Sequence, residues 1–281
     1  MVLPADGHVH SEWSWDAPSG SMERTCARAV ELGLPAVAFT EHADWTPWTV
    51  RPEDTARFAH LAAHTSPDGL LTPPPLDLDG YLESLQRCRD RFAGLRIISG
   101  VELGEPHRHA DAVGPLLAAG RFERVLGSLH SLPVGDRYSE MPGLFEAFDP
   151  VTVLRDYLAE LAVLVAGPAP FTVLAHIDYP VRYWPAVQAG PFDPRMFEDE
   201  YRHALHALAA SGRVLEVNTR VPLDPRIVRW WHEEGGTAVT FGSDAHDPAR
   251  LALGLPEAAA LVEAHGFRAG RHPYDVWYRT G

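Results

Sequence analysis

The 281-residue chain contains no lysine, so all 24 of its bases are arginine. That absence removes whole mechanisms: there is no Schiff-base lysine, no P-loop lysine and no carbamylated lysine to bridge metals. Any anion must be clamped by Arg, backbone amides or bound metal. Cysteine is almost absent as well. Cys26 and Cys88 each sit in a helical pattern and neither belongs to a C-x-x-C, which excludes a disulfide framework and a thiolate zinc site and leaves both as structural thiols. No apolar run approaches roughly 18 residues, and no charged-plus-apolar leader opens the chain, so the expected location is a bacterial cytoplasm. Positive charge is scarce overall: 24 bases against 38 acids give −14. This argues against long nucleic acid and anionic membrane as partners and still allows a small phosphate-bearing ligand.

What is present suffices for a sizeable core, with 46% hydrophobic and 22% charged residues. Short apolar, β-branched runs recur at 36–40, 96–101, 124–129, 171–175, 213–218 and 237–242, with 2–8 as a weaker first member. Between them, residues 22–32, 78–92, 151–165, 196–210, 225–234 and 256–265 carry helical periodicity. Gly33, Gly94 and Gly212 stand where helices should stop before the next strand. The alternation predicts parallel strands with crossover helices. Seven β/α units in a single domain spanning residues 1–281 fit this length better than a doubly wound sheet with a second domain. Residues 65–75 and 131–150, rich in Pro and Gly, are expected to be long loops at the rim of a barrel.

The His, Asp and Glu residues gather at the predicted strand ends: Asp6-Gly7-His8-Val9-His10, Thr40-Glu41-His42, Gly100-Val101-Glu102, Gly127-Ser128-Leu129-His130, Ala175-His176-Ile177-Asp178 and Gly242-Ser243-Asp244-Ala245-His246. In a parallel barrel these ends open on one face, where active sites are built. Residues two apart on a strand point the same way, so His8 with His10, and Asp244 with His246, should each grip one site. Imidazole plus carboxylate suits Zn, Mn or Fe. The other nine histidines, His60, His64, His107, His109, His203, His206, His232, His265 and His272, fall on helices or loops and are read as structural or solvent-facing.

This constellation resembles the polymerase and histidinol phosphatase (PHP) family of metal-dependent phosphoesterases over essentially the whole chain. The resemblance implies a distorted (β/α)7 TIM-like barrel with two or three divalent metal ions at its mouth. It places His8, His10, Glu102 and Asp244 on one metal, Glu102, His130 and His176 on a second, and Asp16, His42 and His246 on a third. Asp16 has an alternative role capping the turn into Pro18-Ser19-Gly20, which would leave two metals. Asp6 and Asp178 are candidates for orienting ligand imidazoles, and Glu41 for a structural role. A water bridging two metals would be the nucleophile. Asp16, Asp178 and Asp244 are the candidate catalytic carboxylates, with Glu105 as another possible acid for the leaving group. Arg182 and Arg220 are expected to bind phosphate, with Arg226 in reserve, because the segment after Asn218-Thr219 departs from the family's Gly-x-Arg-like pattern. Trp13, Trp15, Trp45, Trp48, Tyr183 and Trp184 would either stack a substrate ring or seal the loops.

The expected reaction is hydrolysis of L-histidinol phosphate to L-histidinol and phosphate. Nucleotides, sugar phosphates or another small ester are the alternative substrates. An amidohydrolase-like hydrolase fits less well without a bridging lysine, and a catalytically silent scaffold fits poorly with an intact ligand set.

Overall fold

All seven expected parallel strands form. In the computed structural model, which describes residues 3–280, they are β1 (Asp6–Val9), β2 (Ala36–Ala43), β3 (Arg96–Gly104), β4 (Arg124–Ser128), β5 (Val173–Leu174), β6 (Val214–Asn218) and β7 (Ala238–Gly242). Val2, where the first strand was expected to begin, lies outside the described residues. The strands pair in chain order, each parallel to its neighbour. The sheet curls until β1 meets the segment after β7. Asp244 N donates to His8 O at 2.8 Å, His10 N donates to Ala245 O at 2.9 Å, and Val9 and Ala245 form a parallel bridge. Two short antiparallel strands, Trp277–Arg279 and Phe267–Arg268, continue the sheet beyond β7 to make nine. The result is a single-domain α/β fold around a curled nine-stranded sheet.

The crossover helices start and stop where the chemistry dictates. Ser21, Asp77 and Asp149 accept the backbone N–H of Arg24, Gly80 and Thr152, capping Met22–Leu32, Leu78–Arg91 and Pro150–Ala166. Gly33 ends the first of these in the left-handed region at φ 68°, a conformation that suits glycine. Their apolar stripes bury against the sheet in one main cluster that includes Cys26, Leu85, Leu154, Leu161, Tyr201 and Trp230. Each such fully buried aliphatic side chain contributes about 1.5–3 kcal/mol. Tyr81 adds a tie within the sheet, donating to Phe39 O on β2 and accepting from Gly100 N on β3.

One expectation about the connections needs correction, and one helix was not singled out. Residues 110–120 form the helix Ala110–Gly120, whose Val113 packs on Val101 and Leu103. Gly114 and Pro115 inside it obscure the helical period. Residues 65–75 and 131–150 are not open rim loops. Leu70–Leu71, Trp48–Thr49, Arg137–Glu140 and Ser131–Val134 assemble in that order into a second, four-stranded sheet. The short helices Pro52–Arg57, Ala59–Ala63 and Met141–Ala147 accompany it. These strands are two to four residues long, and apart from the hairpin of Ser131–Val134 with Arg137–Glu140 they draw partners from distant segments, so no local periodicity announces the sheet.

Candidate metal centre

The carboxyl ends of the parallel strands converge on Glu102, at the end of β3. Its side chain is buried, and five imidazoles face it. Oε2 lies 3.0 Å from His8 Nε2, 3.3 Å from His10 Nε2 and 3.5 Å from His42 Nδ1, whereas Oε1 lies 2.8 Å from His176 Nε2 and 3.3 Å from His130 Nε2. The two oxygens thus serve two separate groups of histidines. Asp244 Oδ1 stands 3.4 Å from His10 Nε2 and 3.8 Å from His8 Nε2, and Asp16 Oδ2 stands 3.0 Å from His246 Nε2 and 3.5 Å from His42 Nε2. Nine expected ligand residues therefore come together.

The buried partners of the histidines fix which nitrogen carries the proton. Ser14 Oγ gives its single hydrogen to Glu41 at 2.6 Å and accepts from His42 N at 3.0 Å, so His10 Nδ1, 2.9 Å away, must donate to it. Glu216 Oε1 takes the Nδ1 proton of His8 at 2.7 Å. In the neutral form of both rings the Nε2 atoms are then bare, and they face each other at 3.0 Å. Burial favours that form, but Glu216, Glu102 and Asp244 outweigh it at His8 and raise it well above its ordinary value, so a positive charge, proton or metal ion, belongs between the two rings. Two nitrogen lone pairs at that distance, ringed by carboxylate oxygens, form a donor set that a cation satisfies. Three further atoms support the fit: Asp16 Oδ1, His42 Nδ1 and Asp44 Oδ1 are buried without a hydrogen-bond partner. Grouped by ligand-atom spacing, the possible metal sets are His8/His10/Asp244, His8/Glu102/His176, His10/His42/His246 and His42/Asp44/His130.

Without metal the electrostatics divide the imidazoles: burial prevails at His10 and His176, whereas nearby carboxylates outweigh it at His8, His42 and His130. Burial lowers His10 to about 4, helped by His246 and His42, and lowers His176 to about 4, so both imidazoles are neutral and free to ligate at physiological pH. Burial would also lower His42, but Asp16, Asp44 and Glu102 outweigh it and bring the imidazole up to about 10. For Glu102, Asp16 and Asp244 burial opposes ionisation, yet the surrounding imidazoles, with Arg182 beside Asp244, hold all three carboxyls well below the usual range.

The backbone contributes too. His176 and Asp244 adopt φ of 24° and 53°, in the left-handed region that costs about 1–2 kcal/mol for a residue with a Cβ. Asp244 and His246 converge, with His246 Nδ1 3.5 Å from Asp244 Oδ1, but through this turn and not through strand alternation, because β7 ends at Gly242. Gly242 itself allows the close approach of Glu216 to His8, since a Cβ there would collide with both.

Other expected roles change. Asp6 orients no imidazole and instead accepts the backbone N–H groups of Ser243 and Ala252. Asp178 is buried, does not line the site cavity, and is pushed up to about 7 by burial. Glu105 spends its Oε1 on His130 N, Ser131 N and Ser131 Oγ, so it holds a turn and is not poised as an acid. The residues that do orient imidazoles, Glu216 and Ser14, and the additional donor Asp44 were missed. Glu216 had left a signal as a lone carboxylate in the apolar run Leu215-Glu216-Val217.

Above the cluster opens a cavity of about 800 Å³. Arg182 and Arg220 both line it. Arg182 is held by Asp244 Oδ2 at 2.6 Å and Asn218 Oδ1 at 3.2 Å, and Arg220 donates to Asp244 O at 2.9 Å. Arg226 turns instead to Asp224 and Asp193. Of the aromatic residues singled out, Trp15, Trp48 and Tyr183 line the cavity. Trp45 packs near His109, and Trp184 packs among Phe145, Phe192 and Phe197. His60, read as structural or solvent-facing, also lines it. Among the described residues no helix is long and apolar enough to cross a membrane.

Comparison with known proteins agrees with this geometry. The chain is similar to the histidinol-phosphatase of Lactococcus lactis subsp. lactis (strain IL1403), with 24% identity over 274 residues covering 93% of this chain and 91% of that protein. It is 30% identical over 269 residues to a protein of Thermotoga maritima named probable histidinol-phosphatase, covering 93% and 92%. Its fold matches the crystal structure of the Lactococcus lactis histidinol phosphate phosphatase complexed with Zn, L-histidinol and phosphate, at a TM-score of 0.80 and 21% identity over 98% of this chain and 99% of that one. Residues 6–220 match the PHP domain, and the chain belongs to the PHP domain family.

Proposed function

We propose that the protein is a metal-dependent phosphomonoesterase that hydrolyses L-histidinol phosphate to L-histidinol and phosphate. The observation that carries this reading is Glu102, one buried carboxylate faced by five imidazoles beneath a cavity that Arg182 and Arg220 also line. The full-length relatives named histidinol-phosphatase supply the substrate. Within the same reading, the curled sheet is a distorted (β/α)7 TIM-like barrel and residues 1–281 are one domain. The enzyme works in the cytoplasm on a small ester, not on long nucleic acid.

Zinc, manganese or iron would be held by His8, His10, Glu102 and Asp244, by Glu102, His130 and His176, and by Asp16, His42 and His246, with Asp44 beside His42 and His130 as a further donor. Divalent metal bound there supplies a nucleophilic water of lowered pKa and neutralises charge on the phosphate oxygens. The protein does the rest. Glu216 and Ser14 keep the Nε2 lone pairs of His8 and His10 aimed at the centre. Arg182 and Arg220 offer guanidinium donors to phosphate oxygens on the cavity side, where planar bidentate recognition is strongest. Asp16 and Asp244 remain ionised at neutral pH and so act as ligands, not as proton donors.

The test is phosphate release by metal-loaded protein from histidinol phosphate, beside His130→Ala and a panel of mononucleotides and sugar phosphates. Preferred turnover of histidinol phosphate that disappears in the variant is the expected result. Cleavage of another ester while histidinol phosphate stays inert would overturn the substrate. No cleavage with zinc, manganese or iron would overturn the phosphatase reading itself.

A further inference from the structure

Seven carboxylates line the cavity, and six of them are already engaged by the protein. Asp16 meets His246, Asp44 accepts from Trp15 Nε1, Asp54 and Glu146 pair with Arg51, Glu102 meets its histidines, and Asp244 holds Arg182. Glu140 is the exception: among the described residues no side chain or backbone N–H bonds or ion-pairs with its carboxylate, and burial pushes it up to about 8. It ends the strand Arg137–Glu140, directly opposite Ser131, the residue that follows His130. It lines the same cavity as His130, Asp44 and Asp16, and their charges and that of Glu105 reach it. Tyr179 and Tyr183 stand near enough to feel its charge in turn, and their rings meet edge-on at 5.6 Å.

A half-buried carboxylate with no protein partner is costly unless a ligand cation completes it. Histidinol phosphate carries two nitrogen-bearing groups. Its ammonium lies two carbons from the ester oxygen, so with the phosphate at the metal centre the ammonium must also lie close to that centre. The imidazole reaches further out, toward the aromatic part of the cavity that includes Trp48 and Phe58. We propose that Glu140 receives the ammonium group of the substrate and thereby makes the pocket selective for amino-alcohol phosphates over their deaminated analogues. This rests on the phosphomonoesterase reading above and adds to it the group that recognises the amine.

The experiment compares kcat/KM of metal-loaded wild type, Glu140→Gln and Glu140→Asp on histidinol phosphate, its desamino analogue and phenylalaninol phosphate. Wild type should prefer the amine over the desamino ester. In Glu140→Gln that ratio should fall roughly 10-fold or more, through KM more than kcat, with partial recovery in Glu140→Asp. Equal losses on all three esters would overturn the proposal, and so would a fall confined to the ratio of histidinol to phenylalaninol phosphate, which would assign Glu140 to the imidazole. Calorimetric affinities for L-histidinol and its desamino analogue read the same ratio without turnover, so a wrong reaction assignment and a wrong role for Glu140 give different results. An equal affinity of wild type and Glu140→Gln for L-histidinol would also refute it.

Discussion

Replacing Glu216 with Gln tests whether the metal centre depends on the carboxylate behind it. Glu216 is buried, and its two oxygens accept three donors: His8 Nδ1 at 2.7 Å on Oε1, and His176 N at 2.8 Å and Asn218 Nδ2 at 3.1 Å on Oε2. Gln has nearly the same shape but only one acceptor oxygen. If that oxygen faces His8, the amide NH2 points at two N–H donors; if it is flipped, the NH2 points at the His8 Nδ1 proton. Either arrangement leaves at least one buried donor unsatisfied, at a cost of about 1–3 kcal/mol, or roughly 5- to 150-fold. The flipped arrangement also pushes the His8 proton toward Nε2, the atom needed for ligation. Loss of such an orienting partner typically lowers metal affinity or activity about 10- to 100-fold. The assay is zinc affinity by chelator competition, with kcat/KM on the same samples and a melting curve to confirm folding. A folded Glu216→Gln protein that binds zinc and turns over substrate within about threefold of wild type would refute this account of how His8 is aimed.

Three further outcomes are expected. Tyr81→Phe removes the hydroxyl shared between β2 and β3 and should cost about 1–3 kcal/mol in urea denaturation, leaving kcat/KM within a few-fold; an unchanged midpoint would show the tie to be idle. Asp178 has an ordinary value of 3.8 and is pushed up to about 7 by burial, so the unfolded chain ionises first and folded stability falls as pH rises from about 4 to about 7. Asp178→Asn should therefore gain on wild type across that window, by at most about 4 kcal/mol, and parallel melting-temperature profiles would contradict it. Arg220 is exposed, so Arg220→Ala should keep its melting temperature while inhibition by inorganic phosphate weakens about 10-fold; undiminished inhibition would remove Arg220 from phosphate binding.

The sequence carried the site well because parallel strands are registered by long apolar runs, and a polar residue at the end of such a run has few places to go. His8, His42, Glu102, His130 and His176 were legible for that reason. Glu216 was not singled out, because a carboxylate inside an apolar strand looks like an interruption until a buried imidazole is seen to need it. Asp44 and Ser14 fell beyond the expected end of β2 and in the loop after β1, where alternation says nothing about direction. The second sheet escaped for a different reason: Trp48–Thr49 pairs with Leu70–Leu71 and with Ser139, some ninety residues away. Such pairing is decided by tertiary closure and not by local pattern. Glu140 inherits that invisibility, since only the fold of this sheet brings it into the cavity.

That division of the chain has a practical consequence. The ligand-type residues ride on or just beyond the ends of the parallel strands or in the loop after β1, whereas Trp48, Phe58, Glu140 and Phe145 reach the cavity from two excursions that fold on each other. The machinery for cleaving an ester and the surface that chooses the ester are therefore carried by separable stretches of chain. Transplanting both excursions together from a relative with another preference should move substrate choice while the metal centre stays intact. Transplanting either alone should fail, because each supplies half of one sheet.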